Sequence, residues 1–217
     1  MNRIELLASL AKDSVCLADI GCDHGFICIT ALLKYNVSRA YACDIGKLPL
    51  ESAKNNIIKY GLNDRIQTVL SAGFDNVEFD FDTACIAGMG GLLIIDILKA
   101  HLSKLKDKKL ILQANKDQDK LRSFMQENGF KLLEEHAIID SKKYYEVLVY
   151  NTGIDSYSEF ELKYGPFLLK NKPQEFIIKM ENSLKLKEMN YSKAKSEESK
   201  SFLENEINEL KAVLNND

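Results

Sequence analysis

Five short apolar runs, each ending at or beside a glycine, aspartate or asparagine, alternate with helical stretches through the N-terminal part of this chain. Strands and helices that alternate at this spacing form parallel strands, joined by right-handed crossovers and covered by helices on both faces. The sequence therefore predicts an α/β fold with a parallel sheet. The predicted strands are VCLADI (15–20), AYACDI (40–45), IQTVLSA (66–72), TACIAGM (83–89) and KLILQAN (109–115), and the predicted helices are 2–12, 25–35, 47–60, 90–104 and 117–128.

The pattern then changes, and two extended runs follow each other closely. KLLEEHAIID (131–140) and KYYEVLVYN (143–151) are separated only by Ser141 and Lys142. A two-residue link cannot hold a crossover helix, so these strands are predicted to pair as an antiparallel hairpin. Parallel strands followed by such a hairpin differ from the plain dinucleotide-binding arrangement.

The charged sequence after Gly153 predicts a second unit, with domains at 1–153 and 154–217. Beyond a junction at Gly165-Pro166, two apolar stripes flank a polar segment at 195–199, which predicts an antiparallel α-helical coiled-coil hairpin. The stripes are Ile177, Met180, Leu184 and Tyr191 in the first arm and Leu203, Ile207, Leu210 and Leu214 in the second. The first arm is rich in lysine and the second is mostly acidic. This pattern fits a solvated helix pair and a phosphate-binding surface equally well.

Charge and composition narrow the classes of protein to which this chain can belong. The 217 residues carry a formal net charge of −3, so no overall positive field marks a nucleic-acid-binding protein. No apolar run is long enough to span a membrane, and the five cysteines form no C-x-x-C pair. We therefore expect a cytoplasmic protein with reduced thiols, no metal site and no membrane contact.

The turn after the first predicted strand, DIGCDHG, occupies the position at which open parallel sheets bind ligands. Asp44 ends the second strand about 20 residues after Gly21, where a carboxylate can accept two hydrogen bonds from a ribose diol. Each feature alone also has a structural explanation, as a tight connection or a helix cap. Their joint occurrence at this spacing favours a cofactor that contains adenosine.

Charge selects between two such cofactors. A dinucleotide needs bare backbone beside its pyrophosphate, but Asp23 stands at the second glycine position of that fingerprint and would repel a diphosphate. S-adenosylmethionine has no phosphate and carries an ammonium and a sulfonium, which Asp19 and Asp23 would attract. Together with the terminal hairpin, the charge predicts a Rossmann-like class I methyltransferase sheet.

The segment IAGMGG (86–91), at the end of the fourth predicted strand, is a third feature of the same edge. Packing explains one glycine there more readily than three. Bare backbone lets a flat ligand approach, and Met89 can lie against a base or the cofactor. Gly90 and Gly91 then begin a helix whose free N–H groups are expected to face the cleft.

Four motifs in this order and spacing, ADIGCDHG, IAGMGG, LILQAN and YYEVLVYNTG, resemble the bacterial TrmK family. The resemblance covers essentially the whole chain, including YGPFLL at the junction. It implies a tRNA methyltransferase that transfers a methyl group from S-adenosylmethionine to N1 of adenine 22 and releases S-adenosylhomocysteine. The expected partner is tRNA, and we expect a monomer or weak dimer with no obligate protein partner.

The resemblance also indicates how the site residues divide the work. The Asp23 carboxylate stabilises the positive charge that passes to the base, and Asn115 holds the base edge by hydrogen bonds. His24 acts either as a structural hydrogen-bonding group or in base placement. The expected cofactor-binding residues are Asp19, Gly21, Asp23, Asp44, Ala72, Gly73, Gly88 and Met89. The expected substrate-binding residues are Gly90, Gly91, Lys170, Lys172 and Lys179.

Two positions depart from the family pattern. Ala72 stands where the family places an acidic residue that contacts the adenine amino group, so Asp75 or a backbone carbonyl takes that role, or cofactor affinity is weaker. Ala114 replaces the proline before Asn115, which leaves that loop less stiff.

Two alternatives to a tRNA methyltransferase remain. The first is a non-catalytic RNA-binding protein on a methyltransferase scaffold; Ala72 favours it, whereas the presence of Asp19, Gly21 and Asp44 opposes it. The second is a methyltransferase with a small-molecule or protein substrate, for which a basic helical arm would be superfluous.

Overall fold

The structure, a computed structural model, describes residues 1–215 and contains one seven-stranded sheet with the order β3-β2-β1-β4-β5-β7-β6. The strands are β1 (Cys16–Ile20), β2 (Arg39–Asp44), β3 (Ile66–Leu70), β4 (Thr83–Met89), β5 (Lys109–Ala114), β6 (Phe130–Asp140) and β7 (Lys143–Thr152). The first five strands pair parallel, and β7 pairs antiparallel with both β5 and β6. The predicted parallel sheet with a terminal antiparallel hairpin is confirmed.

Nine α-helices lie along residues 1–215. They are α1 (Arg3–Leu10), α2 (Phe26–Lys34), α3 (Lys47–Lys59), α4 (Gly91–Lys99), α5 (Gln118–Glu127), α6 (Glu159–Tyr164), α7 (Pro166–Asn171), α8 (Gln174–Lys193) and α9 (Glu197–Asn215). Buried residues of α1, α2 and α3 form one core with the sheet, and those of α4 and α5 form another. Because both faces are covered, β1 is buried along its whole length, which is why its sequence shows a continuous apolar run rather than alternation.

Two predicted boundaries on the cleft side are wrong. The helix predicted at 90–104 ends at Lys99, and a separate 3₁₀ turn follows at Leu102–Leu105. His101 lies between them and bonds to the Asp75 carboxylate, with 3.0 Å from Nε2 to Oδ1. The third strand ends at Leu70 rather than residue 72, because the Ser71 hydroxyl organises a turn through bonds to the Gly73 carbonyl and the Asn76 amide.

The C-terminal extension folds as two helices that run antiparallel. Lys172, just before α8, donates to the Leu214 carbonyl near the end of α9, whereas Lys187, in the second half of α8, pairs with Glu206 in the middle of α9, so the two helices run in opposite directions. A further salt bridge joins Lys211 to Glu188. Its buried core is Leu168, Phe176, Met180, Leu210 and Val213, which packs on the β6–β7 hairpin. The short helices α6 and α7 were not expected in the junction. The coiled-coil description and the domain boundary after residue 153 stay predictions.

A buried ion cluster joins the extension to the sheet. Arg122 of α5 is 1% exposed and contacts Glu135 at 2.7 Å and Glu146 at 2.6 Å. The same Glu135 carboxylate accepts a bond from the Phe167 amide, and Arg122 donates to the Leu162 carbonyl. Charges buried in this way are tolerated because each is paired and hydrogen-bonded. The cluster therefore ties α5, the hairpin and the start of the extension into one unit.

Candidate active site

A cleft of about 820 Å³ opens at the carboxyl ends of β1, β2 and β4. The strand order reverses between β1 and β4, and ligands of open α/β sheets bind at such a switch point. The walls combine apolar surface with charged groups. The charged side chains that line the cleft, histidines aside, are Arg3, Asp23, Asp44, Asp75 and Asp96.

The turn after β1 brings the backbone close to the side chain of Met89. Gly21 has a φ of +79°, and its N–H, like that of Cys22, donates to the Cys43 carbonyl at 2.8 Å. A Cβ atom at Gly21 would stand 2.2 Å from Met89 Cε. Both the backbone angle and the contact therefore require glycine here. Met89 lies inside the cleft, as its predicted contact with a ligand requires.

Asp44 connects β2 to this turn. One carboxylate oxygen accepts a bond from the Asp23 amide at 3.1 Å, and the other accepts a bond from the Gly46 amide at 2.8 Å. A carboxylate offers about four acceptor positions, so two remain for a ligand. The side chain also lines the cleft. Capping and ligand binding, the two sequence-based interpretations of Asp44, are thus compatible.

Asp19 lies beneath the turn rather than in the wall of the cleft. It is 1% exposed at the next-to-last position of β1, and the Cys28 thiol is 3.8 Å from its carboxylate. Burial raises the pKa of Asp19 to about 7. At this depth its influence on a bound cation is electrostatic rather than by direct contact.

Asp23 and His24 stand at the mouth of the cleft, and both are exposed. The His24 ring bonds through Nδ1 to the Ser52 hydroxyl at 2.7 Å and turns Nε2 toward the Asp23 carboxylate at 3.6 Å. Asn56 donates to the His24 carbonyl. The histidine is thus held by α3, and it in turn faces the aspartate.

The wall at the end of β3 contains an acidic group close to Ala72. Ala72 and Gly73 both line the cleft, and so does Asp75 three residues further on. The bond from His101 fixes the Asp75 carboxylate at the cleft surface. His101 itself packs edge-on against the Phe74 ring. Of the two groups considered as substitutes for the missing acid at position 72, Asp75 and a backbone carbonyl, Asp75 has its carboxylate in the wall of the cleft.

A network of amide groups joins the end of β4 to Asn115. The side chain of Gln113 is fully buried; its oxygen accepts from the Gly88 N–H at 3.1 Å and its nitrogen donates to Asn115 Oδ1 at 3.1 Å. Asn115 Nδ2 donates to the Gly88 carbonyl at 2.7 Å. Asn115 is therefore held in one orientation beside Gly88, although it is exposed and does not line the cleft wall.

The expectation that the N–H groups of Gly90 and Gly91 are free and face the cleft is wrong for Gly91. Its N–H donates to the Lys116 carbonyl at 2.9 Å, and a Cβ atom there would stand 2.5 Å from the Asp117 carbonyl oxygen. Gly91 is buried, and its lack of a side chain serves close packing against the loop after β5. Gly90 is half-buried and also lies outside the cleft wall.

The three lysines predicted to bind substrate lie on the extension, away from the cleft wall. Lys170 is on α7 and Lys179 on α8, and both are exposed. Lys172 is half-buried and donates to the Leu214 carbonyl at 3.3 Å, which commits it to joining the two arms. Other lysines of the first arm are paired with acids of the second, as Lys187 is with Glu206.

Several cleft residues were missed by sequence reasoning. The most prominent are Arg3, Asp96 and His101. Arg3 belongs to α1, which folds back along α2, and no local motif marks this return. Asp96 and His101 lie in or just after α4, a position that directly follows the recognised IAGMGG motif, so their proximity could have been anticipated.

Residues 1–215 lack two further features. No group of three or more histidine, cysteine, aspartate or glutamate side chains is placed to hold a metal ion. None of the helices in this part of the chain is both long and apolar enough to cross a membrane.

Comparison with known proteins gives matches along nearly the whole chain. Residues 17–212 match the TrmK family model, which is described as tRNA (adenine(22)-N(1))-methyltransferase. A curated relative, the tRNA (adenine(22)-N(1))-methyltransferase of Bacillus subtilis, is 34% identical over 191 residues, which cover 84% of this chain and 80% of the relative.

Solved structures agree with the sequence matches. Sp1610 of Streptococcus pneumoniae has a TM-score of 0.93 and 32% identity and covers 99% of both chains. Its complex with S-adenosyl-L-methionine has a TM-score of 0.89, also at 32% identity, and covers 99% of this chain and 100% of that one. M. capricolum TrmK in complex with S-adenosyl-homocysteine has a TM-score of 0.85 and 27% identity, covering 98% and 96%.

Proposed function

The chain belongs to the TrmK family of tRNA (adenine(22)-N(1))-methyltransferases, and from this premise we propose how its residues share the reaction. It transfers a methyl group from S-adenosylmethionine to N1 of adenine 22 in tRNA. The observation that carries this conclusion is the match along 17–212, which includes the whole acid-lined cleft except for its α1 wall. The function, fold class and cofactor predicted from the sequence are confirmed, and the two alternatives are not favoured.

The cleft fits the cofactor in shape and in charge. The cofactor supplies an electrophilic methyl group on a positively charged sulfur. Asp44 retains two acceptor positions for the ribose diol, and Asp75 lies near Ala72 for the adenine amino group. The Met89 side chain lies against the bare backbone of Gly21 and lines the cleft, where it can contact the cofactor. We assign these four residues to cofactor binding.

Asp23 is assigned to the reaction centre. Its amide is anchored on Asp44, so its carboxylate stands close to the ribose site while remaining exposed to an incoming base. N1 of neutral adenine has a free lone pair, so the enzyme needs no base to remove a proton before attack. Positive charge appears on the base as it is methylated, and a fixed carboxylate nearby lowers the energy of that state.

His24 is assigned to positioning Asp23. Its Nδ1 is held by Ser52, and its Nε2 faces the Asp23 carboxylate. Of the two roles that the sequence left open, this geometry supports the structural one, because the ring is committed to partners on both sides.

Asn115 is assigned to the adenine. One acceptor position on Oδ1 and one hydrogen on Nδ2 remain after its bonds to Gln113 and Gly88. A side-chain amide with those two groups unused can bond the N6 and N7 edge of adenine and leave N1 free. Because adenine 22 lies within folded tRNA, the base must swing out of its stack to reach this site.

The extension is assigned to tRNA binding outside the cleft. Lys170 and Lys179 are exposed on α7 and α8, where they can contact phosphate groups and offset the cost of unstacking. We also propose that the protein acts in the cytoplasm, since tRNA is its substrate. We further propose that it acts as a monomer or weak dimer.

The function is tested by methylation of tRNA transcripts with labelled S-adenosylmethionine, followed by mapping of the modified nucleoside. A transcript with adenine at position 22 should gain 1-methyladenosine there. The matched transcript with guanine at position 22 should gain no label. Label at another position, or equal label in both transcripts, would contradict the assignment.

A further inference from the structure

Lys116 follows Asn115 in the chain, and its side chain lies over the bare backbone of Gly90. Its Cε and Cγ atoms would stand 3.4 Å and 4.0 Å from a Cβ atom at Gly90, so the aliphatic stem packs on that glycine. The residue is exposed, and within residues 1–215 its ammonium group bonds to no protein acceptor. A lysine whose stem packs on the protein keeps its charged end available in solvent.

The backbone that carries Lys116 is fixed against the end of β4. The Asn115 N–H donates to the Met89 carbonyl at 2.7 Å, and the Lys116 carbonyl accepts a bond from the Gly91 N–H at 2.9 Å. A Cβ atom at Gly91 would stand 2.8 Å from the Lys116 carbonyl oxygen, so the two loops pack without space between them. The fold therefore sets the position of Lys116 before any ligand binds.

The charge of the cleft wall opposes the approach of an RNA strand. Four of the five charged side chains in the wall, histidines aside, are aspartates, and each repels a phosphodiester that comes close. An adenine that swings out of its stack stays linked to the RNA backbone, so its own phosphodiester moves toward this wall. A cation at the edge of the cleft offsets that repulsion.

Lys116 stands at a suitable distance from the residue assigned to the adenine. The Asn115 side chain donates to the Gly88 carbonyl, whereas the Lys116 stem lies on Gly90. These two glycines are two residues apart, so at most about 7 Å separates the backbone positions that the two side chains contact. The base and the phosphate of one nucleotide are joined through a single sugar, so one nucleotide can reach both side chains.

We propose that Lys116 binds the phosphodiester of the nucleotide that is methylated, and so positions the swung-out adenine. The inference rests on the function and on the role of Asn115 proposed above. Lys116 is a positioning residue, because its ammonium group contacts a phosphate and not the reacting atoms; phosphate contacts fix the register of a nucleic acid. Gly90, which the sequence predicted to bind substrate, then acts through the lysine stem that lies on it.

The test removes the charge from one phosphodiester of the tRNA at a time. Transcripts carry an uncharged methylphosphonate on the 5′ side of adenine 22, on its 3′ side, or far away in the anticodon loop, and each has a matched transcript with the ordinary linkage. A 2′-deoxynucleotide on the 5′ side of the linkage keeps the methylphosphonate stable and is present in both members of each pair. The kcat/KM for methylation is measured with saturating S-adenosylmethionine.

The enzymes compared are the wild type, Lys116→Met, Lys116→Arg and Lys120→Met. Lys116→Met keeps a stem over Gly90 without the charge, and Lys116→Arg keeps a charge. Lys120→Met is the matched control, because Lys120 lies four residues further on and is already paired with Asp117 at 3.2 Å. Titration with S-adenosylhomocysteine shows that each variant is folded and keeps its cofactor site.

With the wild type, the uncharged linkage on one side of adenine 22 should lower kcat/KM about tenfold or more, and the distant one should not. Lys116→Met should lower kcat/KM by a similar factor on the charged transcript and lose little more on the uncharged one. Lys116→Arg and Lys120→Met should respond to the linkage as the wild type does.

The inference is overturned if neither linkage beside adenine 22 affects the wild type, or if the wild type and Lys116→Met lose the same factor. A wild type that leaves adenine 22 of the charged transcripts unmethylated, although it binds S-adenosylhomocysteine, would overturn the proposed function instead.

Discussion

The terminal methyl group of Met89 lies directly against Gly21, so that a Cβ atom at Gly21 would stand only 2.2 Å from Met89 Cε. The turn after β1 and the end of β4 are therefore fitted to each other through one side chain and one bare backbone position. A larger residue at position 21 must push Met89 into the space that a ligand occupies.

Gly21→Ala should cost about 1–3 kcal/mol of stability through its positive φ, and should weaken cofactor binding roughly tenfold because Met89 is displaced. Adding Met89→Ala should recover part of the lost affinity but not the stability, because it removes the displaced side chain together with the contact that Met89 makes with the cofactor. Calorimetry and denaturant unfolding measure the two effects separately. If the double variant binds no better than Gly21→Ala, Met89 does not transmit the effect.

Removing the Asp44 carboxylate should weaken cofactor binding by about 2–4 kcal/mol, since two charge-assisted hydrogen bonds to the ribose are lost. The side chain also holds two backbone amides, so affinity alone does not isolate the contact with the diol. The 2′-deoxy analogue of S-adenosylhomocysteine isolates it. The wild type should prefer the natural ligand, and Asp44→Ala should bind both equally; a preference that survives the substitution would show that Asp44 only organises the turns.

Asp23→Asn should keep the fold but lower the single-turnover methylation rate on the order of tenfold or more. Asn115→Ala should spare cofactor affinity and lower the rate through misplacement of N1. Both are measured by rapid-quench assays with saturating cofactor and tRNA, alongside cofactor titrations. Wild-type rates in both variants would move the reaction centre to the backbone around Gly88.

Replacing Lys170 and Lys179 with glutamine should weaken tRNA binding and reduce the slope of log K against log salt by about one per lysine. Lys187→Gln with Lys211→Gln is the matched control, because those lysines are already paired with Glu206 and Glu188. The control should change tRNA affinity much less. Equal losses in the two double variants would indicate a general charge effect rather than specific phosphate contacts.

The sheet was predictable because its central strands, such as β1 and β5, are buried on both faces and therefore stand out as apolar runs in the sequence. The buried position of Glu135 was not predictable. A bulge between Leu132 and Glu134 shifts the register of β6 and turns Glu135 inward, onto Arg122. Alternation counted along the sequence cannot anticipate such a shift.

The candidate site likewise contains residues whose positions could be predicted from the sequence and others whose positions could not. Gly21, Asp23 and Asp44 follow strand ends, and parallel strands bring their carboxyl ends to one edge, so their meeting follows from the order of elements. The position of Arg3 depends on how α1 packs on α2. The Gly91 N–H is not free for a ligand because it donates to the Lys116 carbonyl in the loop after β5. Both are tertiary contacts that leave no local pattern.

Asp19 should make the stability of the protein fall as the pH rises from about 4 to about 7. Burial raises its pKa to about 7 in the folded protein, so the folded state holds this proton more tightly than the unfolded chain does. Asp19→Asn removes the effect, and its stability advantage over the wild type should grow across that interval, by a few kcal/mol at most. Urea unfolding at pH 5 and pH 8 measures the difference. Parallel pH profiles would show that Asp19 does not titrate in this range.

Arg122 joins the helix that follows Asn115 to the β6–β7 hairpin and to the start of the C-terminal extension. Helix α5 begins three residues after Asn115, and Arg122, within its ten residues, is locked to the hairpin and to the start of the extension. A helix of this length spans roughly 15 Å and does not bend easily. The Asn115 end of this unit and the start of the extension therefore keep a fixed separation. With the roles proposed for Asn115 and for the extension, that separation limits which nucleotide of a bound tRNA can reach the cleft.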